Sequence, residues 1–592
     1  MLHKKRLLAL LSMLILGVLT ACDTGGGSTT PGAQNSGNKP ANAVEVSIIY
    51  APESALYMPR MIQAFNDLSA QGKNPVTGGN YANGAKPIWM VDPTNGAGGS
   101  SGTVMQGIIN AIIAPNNQNV AKPVIFSPSV SHWLALANER SGRQLFDLAN
   151  SQPTANAPVV MAIWESRLQA IRDKVGYEDI GWEELLQVLN SENGWCDYGI
   201  PDCRRTVFYG HTDPRISSTG LSTLISEFYA AARANGFTGR ILSDDQVDDE
   251  AVQEGVRNIE TLIRHYSSRT TEFKEYIAQG PQFLDFVALE ENDLIFINEG
   301  KTQYKPPEKL VALYPKEGTF WHEHPFGIVN ADWVTQEQKD AAAIFTQYVL
   351  LPAQQEMIMA EGFRPVNQDV QLAFPFVAEN GVTVEGPKTV LDVPSADVIV
   401  AIQQSWSVVK KQADITLIID TSGSMNDEDK IGQAKAAAQR FIAEMDPNNR
   451  VSLVTFSDNI IEQVRLGTLE TVKTELTEDI NRLRADGGTA LFDAMASVLE
   501  EVNTDTASER IRAVVVLSDG ADTASSTELN QVLRAIEASR SDLNPVIVIM
   551  VAYGSNADID TLSGIARASS TTVQSGDPNN ITRVLEIISS YF

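Results

Sequence analysis

Residues 414–430 read DITLIIDTSGSMNDEDK. A largely apolar run, Ile415–Ile419, leads into Asp420, and Ser422 and Ser424 follow within four positions. A short apolar run that ends in small polar residues predicts a buried strand followed by a tight turn. A carboxylate and hydroxyls just beyond a strand are oxygen ligands suited to a small, hard divalent cation. We therefore expect a metal site at the end of this strand.

The chain beyond this stretch continues to alternate strands and helices. The strand candidates are ITLIID, RVSLVTFS, IEQVRLG, RAVVVLSD, PVIVIMVAYG and STTVQSG. Short apolar strands separated by helices indicate a parallel sheet covered on both faces, and the short turn at 457–459 indicates one antiparallel hairpin at an edge. In a doubly wound sheet, ligands bind beyond the carboxyl ends of the strands. Asp420 and Asp519 each end a strand candidate, so both carboxylates should face that crevice.

Three separated pieces of this region resemble the metal-ion-dependent adhesion site of von Willebrand factor type A domains. They are DTSGSM, which matches D-x-S-x-S, GGTALFDA and VVVLSDGADTAS. The resemblance implies a doubly wound, Rossmann-like domain over 413–592 that binds Mg²⁺, or Mn²⁺ or Ca²⁺, and accepts a carboxylate from a protein partner. The hydroxyl ligands would bind directly and the aspartates directly or through water. The alternative is a capped helix after a tight turn. The implied ligand set is Asp420, Ser422, Ser424, Thr489 and Asp519.

The region from Val44 onward shows the same α/β alternation, with more helices after residue 218. Its strand candidates include VEVSIIY, KPIWMVD, KPVIFSP and PVVMAIW, and later FVALE, LIFIN and KLVALYP. The stretches PVVMAIWESRLQAI, FYGHTDPRISSTGLSTLISEFYAAA and LVALYPKEGTFWHEHPFGIV resemble bacterial extracellular solute-binding proteins, the receptors of ABC importers. The resemblance implies a two-lobed, periplasmic-binding-protein-like module over 44–395, with crossings between lobes near residues 155 and 300. Residues 396–412 would connect it to the second module.

Loops that follow strands or precede helices supply the cleft candidates. Backbone N–H groups and hydroxyls at helix N-termini bind anionic groups readily, although N-caps and glycine turns explain each loop equally well. Arg215 and Glu290 are each either a cleft charge or part of a structural ion pair. His322 and His324 are either a metal pair or loop residues. The candidate ligand-binding residues are Ser54, Ser100, Ser101, Ser127, Ser218, Thr219 and Glu290.

The N-terminal sequence predicts export and anchoring. Residues 1–21 have a basic start and an apolar run too short for a comfortable membrane span, which is typical of a signal peptide. Cys22 follows Leu-Thr-Ala, as in a bacterial lipobox, so we expect lipidation there and a flexible linker over 22–43. An ordinary signal peptide is the alternative. The other cysteines, Cys196 and Cys203, should form a disulfide outside the cytoplasm.

Charge and the missing motifs limit the function. The chain has 45 basic and 73 acidic residues, a net charge of −28, which disfavours nucleic-acid binding. Neither the zinc-protease motif nor the P-loop motif occurs, and residues 413–592 contain no histidine. We therefore predict a non-enzymatic, lipid-anchored protein on the extracytoplasmic face of the cell membrane that recognises a protein through its metal site. The same prediction includes possible binding of a solute in the N-terminal cleft. The alternatives are the receptor of an ABC importer and a metal-assisted hydrolase using Asp522 or Asp427.

Overall fold

The computed structural model describes residues 39–592 with some gaps. The residues left out are 97, 114–120, 202–206, 264–265, 268–269, 505–509, 520, 540–545, 554–556, 570, 572, 577–580, 582–583, 586–587 and 589–591. The strands are β1 Val44–Tyr50, β2 Ile88–Val91, β3 Ile125–Ser127, β4 Ala157–Trp164, β5 Tyr209–Gly210, β6 Phe286–Glu290, β7 Leu310–Leu313, β8 Trp321–His322, β9 Gly327–Ile328, β10 Ala413–Asp420, β11 Arg450–Phe456, β12 Ile460–Thr468, β13 Ile511–Ser518, β14 Ile547–Tyr553 and β15 Gln574–Gly576.

The α-helices alternate with these strands. They are α1 Met58–Ala70, α2 Ser101–Ile113, α3 His132–Ser141, α4 Glu165–Val175, α5 Trp182–Leu189, α6 Ser218–Ala234, α7 Asp244–Val247, α8 Glu250–Glu260, α9 Thr270–Ala278, α10 Glu291–Asn298, α11 Gln336–Val349, α12 Pro352–Met359, α13 Ala396–Val409, α14 Lys430–Glu444, α15 Leu469–Arg482, α16 Leu491–Thr504, α17 Leu529–Ser539 and α18 Ile559–Ala568.

Two sheets build the two lobes of the N-terminal module. The first has the strand order β2-β1-β3-β9, with β2 and β3 parallel to β1. The second has the order β5-β6-β4-β7, and β8 also pairs with β4. Their short strands are mostly apolar because helices cover each lobe's sheet and bury both of its faces. The predicted two-lobed architecture is confirmed.

The chain crosses between the lobes at positions that only partly match the prediction. The first crossing lies between α3 and β4, which agrees with the expected position near residue 155. The second lies at residues 323–326, between β8 and β9, so its predicted position near residue 300 is wrong. The reason is that β7 and β8 still pair with β4 in the second sheet. After α12 the chain returns to the second lobe, where Arg364 pairs with Asn156.

The segment LIFIN, residues 294–298, was expected to be a strand but forms the end of α10. Glu291 and Asp293 occupy the first turn of this helix, where negative charge is favourable to the helix dipole. The apolar residues of the segment are buried around most of the helix circumference. A helix buried on nearly all sides has a continuous apolar run, and such a run cannot be distinguished from a buried strand by periodicity.

The third sheet has the predicted doubly wound topology. Its strand order is β12-β11-β10-β13-β14-β15, with all neighbours parallel except β11 and β12. Apolar side chains of β10 alternate between two buried clusters, with Leu417 in one and Ile418 in the other. The chain leaves β10 toward β11 on one side and later returns at β13 on the other. The resulting crevice lies at the carboxyl ends of β10 and β13.

The predicted connector is a packed helix. Helix α13 contacts α3, α6, α7 and α8 of the N-terminal module. Its Trp406 is 1% exposed, donates from Nε1 to Glu260 Oε1 at 3.2 Å, and packs edge-on against Tyr266 with ring centroids 5.3 Å apart. Arg215 lies 4.8 Å over the same indole ring. One cluster of buried apolar side chains therefore extends from the first lobe through α13 into the third sheet.

Replacing Trp406 with alanine should destabilise the chain by about 3–5 kcal/mol, the usual result of removing a buried indole. Val408→Ala is the matched control because Val408 lies on the same helix but is 61% exposed, and it should change stability by less than about 0.5 kcal/mol. Urea denaturation of the full chain checks both values. Equal losses in the two variants would contradict the packed role of α13.

Candidate metal site and solute cleft

The predicted metal ligands lie where two neighbouring parallel strands end. Asp420 is the last residue of β10, and Asp519 directly follows β13. The Asp420 carboxylate is fully buried and accepts hydrogen bonds from the Ser422 backbone N–H at 2.8 Å and from Ser518 Oγ at 2.6 Å. The tight turn after the strand therefore fixes this carboxylate at the floor of the crevice.

A chain of hydrogen bonds joins four of the five predicted ligands. The hydroxyl oxygens of Ser422 and Ser424 are 3.2 Å apart, and Ser424 Oγ donates to Asp519 Oδ1 at 2.7 Å. The structure thus brings both carboxylates and both serines together, as the sequence predicted. Ser424 is exposed, so the site is open to solvent on this side.

Thr489 lies in the loop before α16. This loop is hydrogen-bonded to the turn that carries Ser422 and Ser424, called the serine turn below. The backbone N–H of Gly423 donates to Gly487 O at 3.0 Å. Thr489 is buried, and its backbone N–H donates to Thr523 Oγ1 at 3.0 Å. The loop that carries the fifth predicted ligand therefore borders the same crevice and is fixed by the loop after β13.

Lys430 is a member of this site that sequence reasoning missed. Its Nζ donates to Asp519 Oδ2 at 2.6 Å, and the side chain is buried. It begins α14 directly after Glu428 and Asp429, which both have left-handed backbone conformations with φ of 53° and 57°. Only the fold brings this ammonium back to Asp519, so no local pattern could have identified it.

The charges of the site favour a cation near Asp420. Burial raises the pKa of Asp420, while hydrogen bonds from Ser422 and Ser518 oppose the shift. Both oxygens of Asp519 already have partners, Ser424 and Lys430. A hard cation fits this set of carboxylate and hydroxyl oxygens. The residues available to hold it are Asp420, Ser422, Ser424 and Thr489, with Asp519 suited to bind through water.

The cleft candidates lie where the two lobes touch. Ser218 Oγ, at the start of α6 in the second lobe, donates to Ser101 Oγ, at the start of α2 in the first, at 3.1 Å. The backbone N–H of Gly102 donates to Ile216 O at 2.8 Å. A side-chain Cβ at Gly102 would lie 2.6 Å from Ile216 Cα. The lobes are therefore in a closed arrangement that needs a glycine at position 102.

Glu290 sits at the centre of a second contact between the lobes. Its Oε1 lies 2.7 Å from His322 Nδ1, and its Oε2 lies 3.1 Å from His324 Nε2. His324 Nδ1 in turn lies 3.1 Å from Ser54 Oγ in the first lobe. The side chains of all four are fully buried. Both imidazoles are thus bound to Glu290. His322 lies in β8, and His324 lies in the loop that follows it, as the loop interpretation expected.

The pair of Glu290 and His324 carries opposite charges. Burial raises the pKa of Glu290, but the charge of His324 and hydrogen bonds from His322 and His324 outweigh it and hold the pKa well below the usual value. Burial lowers the pKa of His324, but the carboxylates of Glu290, Glu53 and Glu323 outweigh it, and the pKa is raised. The interlobe contact is therefore a buried ion pair.

The remaining cleft candidates also line this region. Thr219 Oγ1 accepts from Thr270 Oγ1 at 3.2 Å, and Ser100 is buried at the start of α2. Ser127 is fully buried, and its Oγ has no hydrogen-bond partner within the described part of the chain. Arg215 forms an ion pair with Asp213 Oδ2 at 2.9 Å, so the structural reading of this residue is the correct one.

The three cysteines lie only partly within the described residues. Cys196 is disulfide-bonded, whereas Cys203 and Cys22 lie outside the described residues.

A buried cluster of His211, Glu227 and Glu260 was not predicted, because its members are far apart in the sequence. His211 Nε2 lies 3.1 Å from Glu260 Oε1, and Tyr209, Tyr266 and Trp406 donate hydrogen bonds to the two carboxyls. Burial, then the Glu260 charge, raises the pKa of Glu227 well above its usual value.

Two family models match the chain. Residues 92–364 match the bacterial extracellular solute-binding protein family, and residues 414–586 match the von Willebrand factor type A domain. The chain joins an extracellular solute-binding domain to a von Willebrand factor type A domain. The predicted ranges 44–395 and 413–592 enclose these two matches. In the described residues, no helix is both long and apolar enough to cross a bilayer.

Individual proteins that match the chain have low sequence identity to it. The bovine (Bos taurus) calcium-activated chloride channel regulator 1 is 25% identical over 195 residues, which is 32% of this chain and 20% of that protein. A von Willebrand factor type A structure from Catenulispora acidiphila is 22% identical, with a TM-score of 0.27, and the match covers 31% of this chain and 42% of that one. A periplasmic thiamin binding protein is 16% identical, with a TM-score of 0.41, over 64% of this chain and 98% of that one.

Replacing Gly102 with alanine should hold the lobes apart, because the added methyl group would overlap Ile216 and Trp133. Small-angle scattering should then show a larger radius of gyration than for the parent chain. Gly107→Ala is the matched control in the same helix, since a Cβ there meets nothing within 4 Å. Identical profiles for all three proteins would contradict the closed contact.

The Glu290–His324 pair should make stability depend on pH. Its contribution is complete between the ordinary pKa values of 4.5 for Glu290 and 6.5 for His324. It is lost as pH falls through the lowered pKa of Glu290 and as pH rises through the raised pKa of His324. The difference in melting temperature between the parent and Glu290→Gln should therefore be largest from about pH 4.5 to 6.5. A difference that does not vary with pH would show that the pair is not ionised.

Proposed function

We propose that this chain is an extracytoplasmic, non-enzymatic binding protein that is anchored to the cell membrane by a lipid on Cys22. Residues 1–21 would be removed as a signal peptide, and 22–43 would tether the folded modules. The match to an extracellular solute-binding family supports the extracytoplasmic location. The lipobox-like sequence before Cys22 supports the anchor.

The proposed role of the C-terminal domain is metal-dependent recognition of a protein. The observation that carries it is the hydrogen-bonded set Asp420, Ser422, Ser424 and Asp519 at the ends of two adjacent parallel strands. When bound, Mg²⁺, Mn²⁺ or Ca²⁺ would supply a positive centre at this site. Two aspartates and Lys430 leave the site one charge short of neutralising a divalent cation. An acidic group of the partner is therefore the fitting last ligand.

The N-terminal module would bind a small solute between its lobes. The closed contacts at Ser101 and Ser218 support such a role, because ligands of two-lobed receptors are enclosed by hinge closure. Delivery of that solute to an ABC importer is the alternative function of the whole chain. A receptor of this kind would stimulate the importer's ATPase activity, whereas a sensor or adhesion protein would not.

A hydrolytic function has less support. Asp522 accepts hydrogen bonds from the backbone N–H of Phe492 and from Ser525, and Asp427 is exposed on the serine turn. A general base needs to reach a metal-bound water, and neither carboxylate shares a hydrogen bond with the predicted ligands. Binding is therefore the function that the site supports best.

Mg²⁺ should stabilise the C-terminal domain of the full chain, and Asp420→Asn should abolish this effect by removing the charged ligand. At about 100 times its dissociation constant, the ion should add roughly 2.7 kcal/mol of stability, which thermal unfolding detects. Asp427→Asn is the control, because it removes a nearby exposed carboxylate and should leave the Mg²⁺ effect intact. An Mg²⁺ effect that survives Asp420→Asn would exclude the proposed site.

A further inference from the structure

Three carboxyl groups face one another across the closed cleft. Glu53 follows β1 in the first lobe, whereas Glu290 ends β6 and Asp293 follows it in the second. Glu53 is 6% exposed and the other two are fully buried. The basic groups among them are Lys274, His322 and His324. With all three carboxyls ionised, one of them would carry a negative charge without a basic hydrogen-bond partner among the described residues.

The carboxyl without a basic hydrogen-bond partner is Glu53. Asp293 Oδ1 accepts from Lys274 Nζ at 2.9 Å, and Glu290 is bound by the two imidazoles. Glu53 Oε2 accepts from the Ser129 hydroxyl at 3.2 Å. Burial and then the charges of Glu290 and Asp293 raise the pKa of Glu53 to about 8. Near neutral pH, this carboxyl therefore carries a proton.

Several polar atoms in the same region have no hydrogen-bond partner among the described residues. They include Asp293 Oδ2, both amide atoms of Asn292 and, from the first lobe, Ser127 Oγ. Each side chain is fully buried. A buried polar atom left unsatisfied costs about 1–3 kcal/mol. A bound molecule that donates hydrogen bonds would remove this cost at two acceptors, Asp293 Oδ2 and Asn292 Oδ1, whereas Asn292 Nδ2 needs an acceptor.

We propose that the solute is a small organic cation with N–H donors, an amine or guanidine, bound between Glu53 of the first lobe and Asp293 of the second. This inference rests on the solute-binding function proposed above. An anion would find no free positive charge, because Lys274 and His324 are already paired with Asp293 and Glu290. A metal ion is often bound by three or more histidine nitrogens, cysteine sulfurs or carboxylate oxygens that lie close together. Within the described chain, only His211, Glu227 and Glu260 place three such atoms within 4.8 Å of one another. The cleft carboxyls do not form such a compact cluster, and their position on two opposite lobes suits a larger cation.

Binding should exchange one cation for one proton. The cation takes the position of the Glu53 proton, which passes to solvent. The charge of the cleft is then unchanged for a singly charged cation and rises by one for a dication. With a pKa of about 8, the release at pH 7 should be roughly 0.9 proton per cation bound. The dissociation constant should rise roughly tenfold from pH 7 to pH 6, because the proton then competes more strongly.

Isothermal titration calorimetry of the full chain, repeated in buffers of different ionisation enthalpy, tests the proposal. The probes are 1,4-diaminobutane, agmatine and tyramine, with 1,4-butanediol and succinate as neutral and anionic counterparts and MgCl₂ and ZnCl₂ as metal controls. We expect saturable binding and proton release with at least one amine and none with the diol or succinate.

Glu53→Gln should abolish the proton release and weaken amine binding at least tenfold. Since the amide resembles the protonated carboxyl that the resting cleft already holds, this variant should fold normally. Glu45→Gln, which alters an exposed carboxylate on β1, is the matched control and should behave as the parent chain.

The other outcomes separate the two levels of the proposal. Binding of only a neutral or anionic compound, in this set or among sugars and amino acids, would overturn the cation class and leave solute binding in place. Binding of a metal ion alone at the cleft would likewise overturn the organic cation. No binding by any compound would overturn both the cation class and the solute-binding function.

Discussion

Buried carboxylates at the ends of strands are the constraint on which the rest of this structure depends. An ionised carboxylate removed from water is costly unless hydrogen bonds or opposite charges compensate it. Asp420 is compensated by hydroxyl and backbone donors, and Glu290 by two imidazoles. Ser422 comes from the turn after β10, whereas Ser518 ends β13 and the two imidazoles come from β8 and the loop after it. Each buried carboxylate therefore constrains residues in neighbouring elements as well as in its own loop.

The two modules meet this constraint in different ways, and the difference bears on what each can bind. At Asp420 the donors are neutral, so the negative charge stays available to a cation at an open edge. In the cleft, Glu290 is neutralised by His324 and Asp293 by Lys274, while Glu53 is left with a proton. The open site at Asp420, with its neutral donors, suits a metal ion that a partner can approach. In the cleft, the enclosed and protonated Glu53 suits the exchange of its proton for a molecule that the lobes can surround.

The candidate metal ligands and most cleft candidates could be located in the sequence because they belong to short motifs at strand ends and helix starts, and their roles stay predictions. Lys430 and the cluster of His211 and Glu260 were not predictable, since only tertiary folding brings distant positions together. Glu53 was missed although it precedes the predicted Ser54, because a lone acid in a loop gives no sign of burial. The helix at 294–298 was mistaken for a strand because burial on nearly all sides removes the helical period.

The loop of residues 212–217 contacts both the cleft and the connector helix. Its Pro214 O accepts from Gln403 Nε2 at 2.7 Å, Arg215 stacks on Trp406, and Ile216 meets Gly102 of the opposite lobe. This loop therefore links the contact between the lobes to the helix that leads directly into β10. By thermodynamic linkage, any factor by which the proposed solute changes affinity for the proposed protein partner would equal the factor by which that partner changes affinity for the solute.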